Sequence, residues 1–270
     1  MPVADPSFGW QEALVAYAIV GVVAFLVAWV ATDLAHVSRT PYVAVLTLTA
    51  LALTAGYLLW SGTSSTELVT SGWVLGVLAG LIAGTVVAPG VRRLPSGPRA
   101  EGPQFVGRLA WEGAVYGIAE AVLLATLPVL AVWQAADALG WTDGAWGKTT
   151  SGALAIVGAL LVIAVHHLGY REFRGRAATK KLMGALVGCG VQALAFLFTG
   201  NVLAPVVTHI VLHWQLILRG VELPPASGHR LDDSERGSAA VDRGGAAGRA
   251  PRRIEVGIQT RRRADRLPAA

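Results

Sequence analysis

LAWEGAVYGIAEAVLLATLPVLAVW, residues 109–133, decides what kind of fold this chain adopts. The run carries two acids, Glu112 near its start and Glu120 at its centre, and no basic residue. A bilayer core about 30 Å thick needs roughly 20 apolar residues per helix, so the segment is long enough to cross one. A carboxyl group at the middle of such a span needs a partner, a proton or a water-filled cavity, and is a functional candidate for that reason.

Working outward, six more segments have comparable character: 12–32, 42–61, 71–90, 151–168, 181–199 and 202–218. The whole chain has a mean hydropathy of +0.54, with 54% hydrophobic and only 14% charged residues. A soluble domain carries roughly 25% charged residues. Much of the charge here lies beyond residue 218, which leaves the body too apolar for water. The predicted fold is all-α: a polytopic transmembrane helical bundle of about seven spans, its partner the lipid bilayer. The first apolar run follows Asp5 and Glu12 with no Lys or Arg and exceeds a signal-peptide core in length, so no cleavable signal is expected.

Loop charges predict orientation. Arg92, Arg93, Arg99 and Arg108 lie between spans three and four, and Arg171, Arg174, Arg176, Lys180 and Lys181 between spans five and six. Arg39 joins them from the loop after span one, whereas Glu67, Asp137 and Asp143 mark the opposite ends. The positive-inside rule then places the basic loops in the cytoplasm of a multi-pass cell-membrane protein, with the amino terminus outside and the tail inside.

Three regions follow: 1–108, three amino-terminal spans with their loops; 109–218, a four-span core; and 219–270, a cytoplasmic tail rich in Arg, Gly and Ala. The tail lacks apolar periodicity and is expected to be disordered. Arg252, Arg253 and Arg261–Arg263 suit anionic lipid head groups. No aromatic residues interleave them to stack on bases, so no nucleic-acid partner is expected. Gly72, Gly76, Gly80 and Gly84 recur once per turn in span three and predict a groove for close helix packing, as do Gly113/Gly117 and Gly184/Gly188. Cys189 stands alone and reads as a small buried hydrophobe.

The polar residues inside the spans form a pattern. Glu120 lies twelve residues beyond Arg108 and His209 ten before Arg219, which puts both at a depth of roughly 15–18 Å at about 1.5 Å per residue. His213 shares a helix face with His209, four residues on, and His166 and His167 close span five on the same predicted side. Three spans thus bring a carboxyl group and several imidazoles to one half of the membrane. Each has a plainer reading: a protonated Glu120 bonded to a neighbouring helix, interfacial histidines, interhelical hydrogen bonds from His209 and His213. Glu112, four residues from Arg108, reads as half of an ion pair.

Three stretches carry a family resemblance. Tyr116-Gly-Ile-Ala-Glu120-Ala-Val-Leu-Leu resembles the first motif of the CPBP intramembrane endopeptidases, relatives of the Rce1-type CAAX prenyl proteases. Val162-Ile-Ala-Val-His166-His167 is similar to their second motif. Leu194 to His213, LAFLFTGNVLAPVVTHIVLH, is similar to the last: a Gly-Asn turn, an Ala-Pro step, then His-x-x-x-His. The resemblance covers roughly residues 110–215. It implies a cytoplasm-facing cavity in which Glu120, aided by His166, activates water to attack a peptide bond of a membrane-associated peptide or protein substrate. It implies that His209 and His213 orient the water or stabilise the developing negative charge. The first motif is incomplete, because Ala121 and Ala125 stand where the family has its second Glu and its Arg.

Two further function classes fit the same residues: a catalytically inactive scaffold or immunity-type relative, and a small proton-coupled transporter in which Glu120 and the histidines relay protons. His209, His213, His166 and Glu120 are of the right type for zinc. Residues 210–212 are Ile-Val-Leu, however, so the His-Glu-x-x-His pattern is absent, and the expected site holds no metal and no other cofactor. Oligomeric state stays open.

Overall fold

The computed structural model describes residues 1–175 and 178–221, all of which fall within one unit of the chain, Met1–Gly228. Every regular element among them is helical: α1 (Trp10–Leu34), α2 (Arg39–Ser61), the short α3 (Ser65–Thr70), α4 (Trp73–Arg92), α5 (Gly102–Ala138), α6 (Gly144–Gly169), α7 (Thr179–Thr199) and α8 (Leu203–Leu218). Six are long and apolar enough to cross a membrane, and α8 is apolar but shorter. The all-α membrane bundle read from the sequence is therefore present, with a seventh apolar helix of only 16 residues.

The stretch 109–133 forms the middle of the longest helix. Of the most apolar part of α5, 78% is buried by the other helices, against 22–44% in the remaining five long ones. It is the axis of the bundle. α1 and α6 pack along its second half, while α2 and α8 pack along its first. Small residues let α1 approach: Ala13, Ala16, Val20, Ala24 and Ala28 form its buried stripe. Gly169 of α6 sits where any Cβ would lie 2.6 Å from that of Ala28.

Contacts between helix ends show that the passes alternate in direction. Asp5 N–H donates to Ser61 O (2.8 Å), joining the start of the chain to the end of α2. Asn201, before α8, donates to Val69 O and Ser71 O, before α4 (2.9 and 2.7 Å). At the opposite face Arg174 pairs with Asp33 (2.5 Å), Trp111 donates to Thr40 O (3.2 Å), and Gly97 N–H donates to Arg219 O (3.1 Å). Exposed Trp10, Trp60, Trp73, Trp141 and Trp146 all gather at the first of these faces. Tryptophan is enriched at membrane–water interfaces, where its ring is half apolar and half hydrogen-bonding.

The glycine reading holds in part. Gly76, Gly80 and Gly84 do form a groove, filled by Asn201, by Ala204 and Val207, and by Val211 of the α8 segment; an added Cβ would lie 2.7 Å from each. Gly72 is instead the left-handed cap of α4 (φ 63°). Gly113 and Gly117 receive Trp214 and the α8 backbone at Ile210. Gly188 contacts the Leu212 side chain of α8, where an added Cβ would lie at 3.7 Å, whereas Gly184 has nothing within 4 Å and both border a cavity.

At about 1.5 Å per residue α8 reaches only about 24 Å, so its start lies inside the bundle. Buried polar ends must be satisfied locally. Gly200 adopts φ 64° to end α7, and buried Asn201 accepts from Leu203 N–H (2.8 Å) while donating to the two carbonyls named above. Arg176 and the expected disordered tail from Glu222 onward, with its arginines, lie outside the described residues.

Candidate functional site: a glutamate ringed by imidazoles

Glu120 ends a single α-helical turn, Tyr116–Glu120, that lies between two π-helical stretches of α5, Leu109–Val115 and Ala121–Thr126. Such wider turns shift backbone hydrogen bonds and recur at functional sites. Here the amide of Tyr116 reaches back to Trp111 O rather than to Glu112 O. The Glu112 carbonyl accepts from His213 Nδ1 instead, at 3.0 Å.

The four residues picked from the sequence converge. Oε2 of Glu120 lies 3.0 Å from Nε2 of His209 and 3.2 Å from Nε2 of His213, and Oε1 lies 3.8 Å from Nε2 of His166. All four are buried: Glu120 5%, His166 0%, His209 2% and His213 3% exposed. His209 and His213 sit one turn apart on α8 with ring centres 4.6 Å apart, as their spacing implied. Between the adjacent histidines the structure distinguishes. His166 faces Glu120, whereas His167 bonds Ile163 O of its own helix (2.9 Å) and lines the cavity beside Phe173.

The far side of each imidazole is held by an oxygen. His166 Nδ1 lies 2.9 Å from Ala24 O, His213 Nδ1 3.0 Å from Glu112 O, and His209 Nδ1 2.6 Å from Oε1 of buried Gln192. A carbonyl oxygen only accepts, so each ring donates from Nδ1 and keeps a lone pair at Nε2 unless it carries a second proton. Every Nε2 is thereby aimed inward. Glu120 cannot be a carboxylate facing two such lone pairs. The pocket holds at least one proton, or another positive species, between Oε2 and the two imidazoles.

A cluster of phenols adjoins this group, and composition alone gave no sign of it. Tyr170 bonds His166 Nε2 at 2.9 Å, Tyr42 at 2.5 Å and Tyr116 at 3.3 Å. The Tyr116 ring lies against His213, with centres 5.0 Å apart, and under the Arg39 guanidinium at 5.1 Å. Arg39 also pairs with Glu112 (2.9 Å), which keeps its predicted bond to Arg108 (3.2 Å). Two of the added residues were discoverable. Gln192 is a polar residue in mid-span, the same signal that marked Glu120, and Tyr170 follows His166 by one turn. Tyr42 offered none.

A cavity of about 670 Å³ opens beside the cluster, bounded by α4, α7 and α8. Glu120, His209, His213, Tyr116 and Tyr170 face it, whereas His166 is not among its lining residues. Its walls are mostly apolar, and Lys180 and Lys181 stand at the basic end of the bundle. Cys189 is buried and borders the same space.

No protein-family model matches the chain, and no curated protein or solved structure matches it either.

Proposed function

We propose that the protein is a CPBP-type membrane endopeptidase in which Glu120 activates water against a peptide bond of a membrane-associated substrate. One observation carries this reading: a buried carboxyl group with two imidazole Nε2 atoms 3.0 and 3.2 Å from the same oxygen, at the wall of a 670 Å³ cavity. The incomplete first motif, with Ala121 and Ala125, leaves Glu120 without the family's second acid and its arginine. His166, His209 and His213 are the groups left to support it. By the positive-inside rule the cavity mouth near Lys180 and Lys181 faces the cytoplasm of a cell membrane, and the amino terminus lies outside.

In the reactive state Glu120 is a carboxylate and His213 or His209 an imidazolium. Glu120 takes a proton from water as the oxygen bonds the carbonyl carbon, and the C=O electron pair moves onto oxygen. An imidazolium N–H stabilises that oxyanion at a mostly apolar cavity wall, where a preset donor is stronger than in water. The C=O then re-forms, the C–N bond breaks, and the amine leaves with the proton from Glu120. A positioned base contributes roughly 10²–10⁴-fold and an oxyanion donor roughly 10²–10³-fold.

Purified protein in proteoliposomes, offered a library of membrane-anchored peptides, tests the reading. Cleavage is expected and should fall at least about 10²-fold in Glu120→Gln with unchanged membrane abundance. Cleavage that survives the substitution removes Glu120 as the base.

A second reading, proton-coupled transport, is favoured by the hydrogen-bonded series Tyr42–Tyr170–His166 leading toward Glu120. It predicts pH-driven solute uptake in the same vesicles, lost in Glu120→Gln, with no peptide cleaved.

A further inference from the structure

We infer that Glu120, His209 and His213 form a binding site for a divalent transition cation of the zinc class. This goes beyond the hydrolytic reading and does not depend on it.

The argument starts from the lone pairs. His209 and His213 are each held at Nδ1 by an oxygen, Gln192 Oε1 and Glu112 O, so both present Nε2 lone pairs to Oε2 of Glu120. Lone pairs facing a carboxylate repel, and only a positive species between them makes the arrangement favourable. Protons can serve, but the spacing also suits a metal ion. With bonds of about 2.0–2.1 Å, neighbouring ligand atoms of a tetrahedral zinc site stand about 3.3–3.4 Å apart. The two Nε2 atoms lie 3.0 and 3.2 Å from Oε2, and all three ligand atoms lie within 4.8 Å of one another.

The surroundings match as well. A histidine ligand keeps its orientation by donating its other N–H to an oxygen, and both rings already do so. Two imidazoles and one carboxylate suit Zn²⁺ or Co²⁺ rather than Mg²⁺ or Ca²⁺, which prefer oxygen-only shells. Three protein ligands leave a fourth position, and all three face the cavity, from which water or substrate can reach it. His166 stands apart, its Nε2 engaged by Tyr170 at 2.9 Å.

Occupancy has a consequence for chemistry. A cation on Oε2 would draw electron density from the whole carboxylate and leave Glu120, Oε1 included, a much poorer base toward water. On the glutamate-base reading, Zn²⁺ therefore inhibits cleavage and a chelator restores it.

The full-length protein, purified in detergent and stripped with chelator, is titrated with Co²⁺. Binding of about one Co²⁺ per chain, with the visible ligand-field band of a four-coordinate site and displacement by Zn²⁺, is expected. His209→Ala/His213→Ala should abolish the band. Gln192→Leu, which removes the side-chain amide behind His209 but no ligand atom, should weaken Co²⁺ binding about 10–100-fold. Exposed His36→Asn should change nothing. Helix content and elution volume check that each variant is folded. Absence of Co²⁺ binding by the intact protein, or equal binding by the folded double variant, overturns the inference. Peptide cleavage, read separately, distinguishes the two proposals. Co²⁺ bound and cleavage raised by Zn²⁺ keeps the metal site and rejects Glu120 as base. Cleavage that needs Glu120 in a protein that binds no Co²⁺ does the reverse.

Discussion

The Tyr170 hydroxyl lies 2.9 Å from Nε2 of His166, and the direction of that bond is set from the other side of the ring. Ala24 O, 2.9 Å from Nδ1, accepts there, so the neutral ring must accept at Nε2. Tyr170 is therefore the donor to His166 and takes its own hydrogen bond from Tyr42. Tyr170→Phe leaves a fully buried imidazole nitrogen unpaired, at a cost of about 1–3 kcal/mol. Thermal unfolding in detergent should show that loss. Tyr42→Phe, which removes a donor but strands no acceptor on His166, should cost less. Equal effects of the two substitutions would contradict this polarity.

Glu112 holds two guanidinium groups of unequal standing. Arg108 pairs with it along the helix surface at 3.2 Å, whereas Arg39 forms an ion pair with it at 2.9 Å from another helix and also covers the Tyr116 ring. An ion pair spaced i, i+4 along one helix contributes about 0.5 kcal/mol or less. A cation over an aromatic ring adds roughly 0.5–2 kcal/mol as it becomes desolvated. Arg39→Ala should thus lower the unfolding temperature more than Arg108→Ala. The difference should persist in high salt, because the contact between Arg39 and the Tyr116 ring does not depend on the shared ion pair.

Glycine substitutions separate packing from propensity. A Cβ on Gly80 would meet the backbone carbonyl of Ala204 at 2.7 Å, where nothing can swing aside, so Gly80→Ala must push α4 away from α8. Gly56 in α2 has no such neighbour within 4 Å. Gly56→Ala should raise stability by about 0.5–1 kcal/mol through helix propensity alone. Gly80→Ala should lower it, and should also disturb His209, which α8 carries. Parallel unfolding curves for the two variants check the opposite signs.

The run of spans and the convergence of Glu120, His166, His209 and His213 were legible because hydrophobic length and polar intrusion are local signals. Spans 42–61 and 181–199 sit within about three residues of α2 and α7. The His209/His213 pair followed from helical periodicity. What escaped was relational. Nothing near Tyr42 in sequence indicates that its hydroxyl meets Tyr170, 128 residues away. At Gly184, which has no neighbour within 4 Å, spacing cannot tell a groove filled by a helix from one left open as a cavity. The π-helical turns around Glu120 were equally invisible, since their residues are ordinary helix formers and the distortion comes from tertiary packing.

Asn201 shows how a polar residue in an apolar setting can be structural. Its side-chain nitrogen donates to Val69 O and Ser71 O, and its oxygen accepts from Leu203 N–H, so both ends of the amide are used. Asn201→Ala removes the acceptor of Leu203 N–H and the donor to Val69 O and Ser71 O, carbonyls of exposed residues that water can partly satisfy, at a cost of about 1–2 kcal/mol. Asn201→Asp keeps the acceptor for Leu203 but sets a carboxylate oxygen against two carbonyl oxygens. It should therefore be no better than alanine, despite being nearly isosteric. Because Asn201 also fills the space over Gly76, the alanine variant additionally opens a gap between α8 and α4. Unfolding temperatures in the order Asn above Ala, with Asp at or below Ala, check the assignment. An aspartate variant as stable as the original protein would mean that the donors to Val69 and Ser71 contribute nothing.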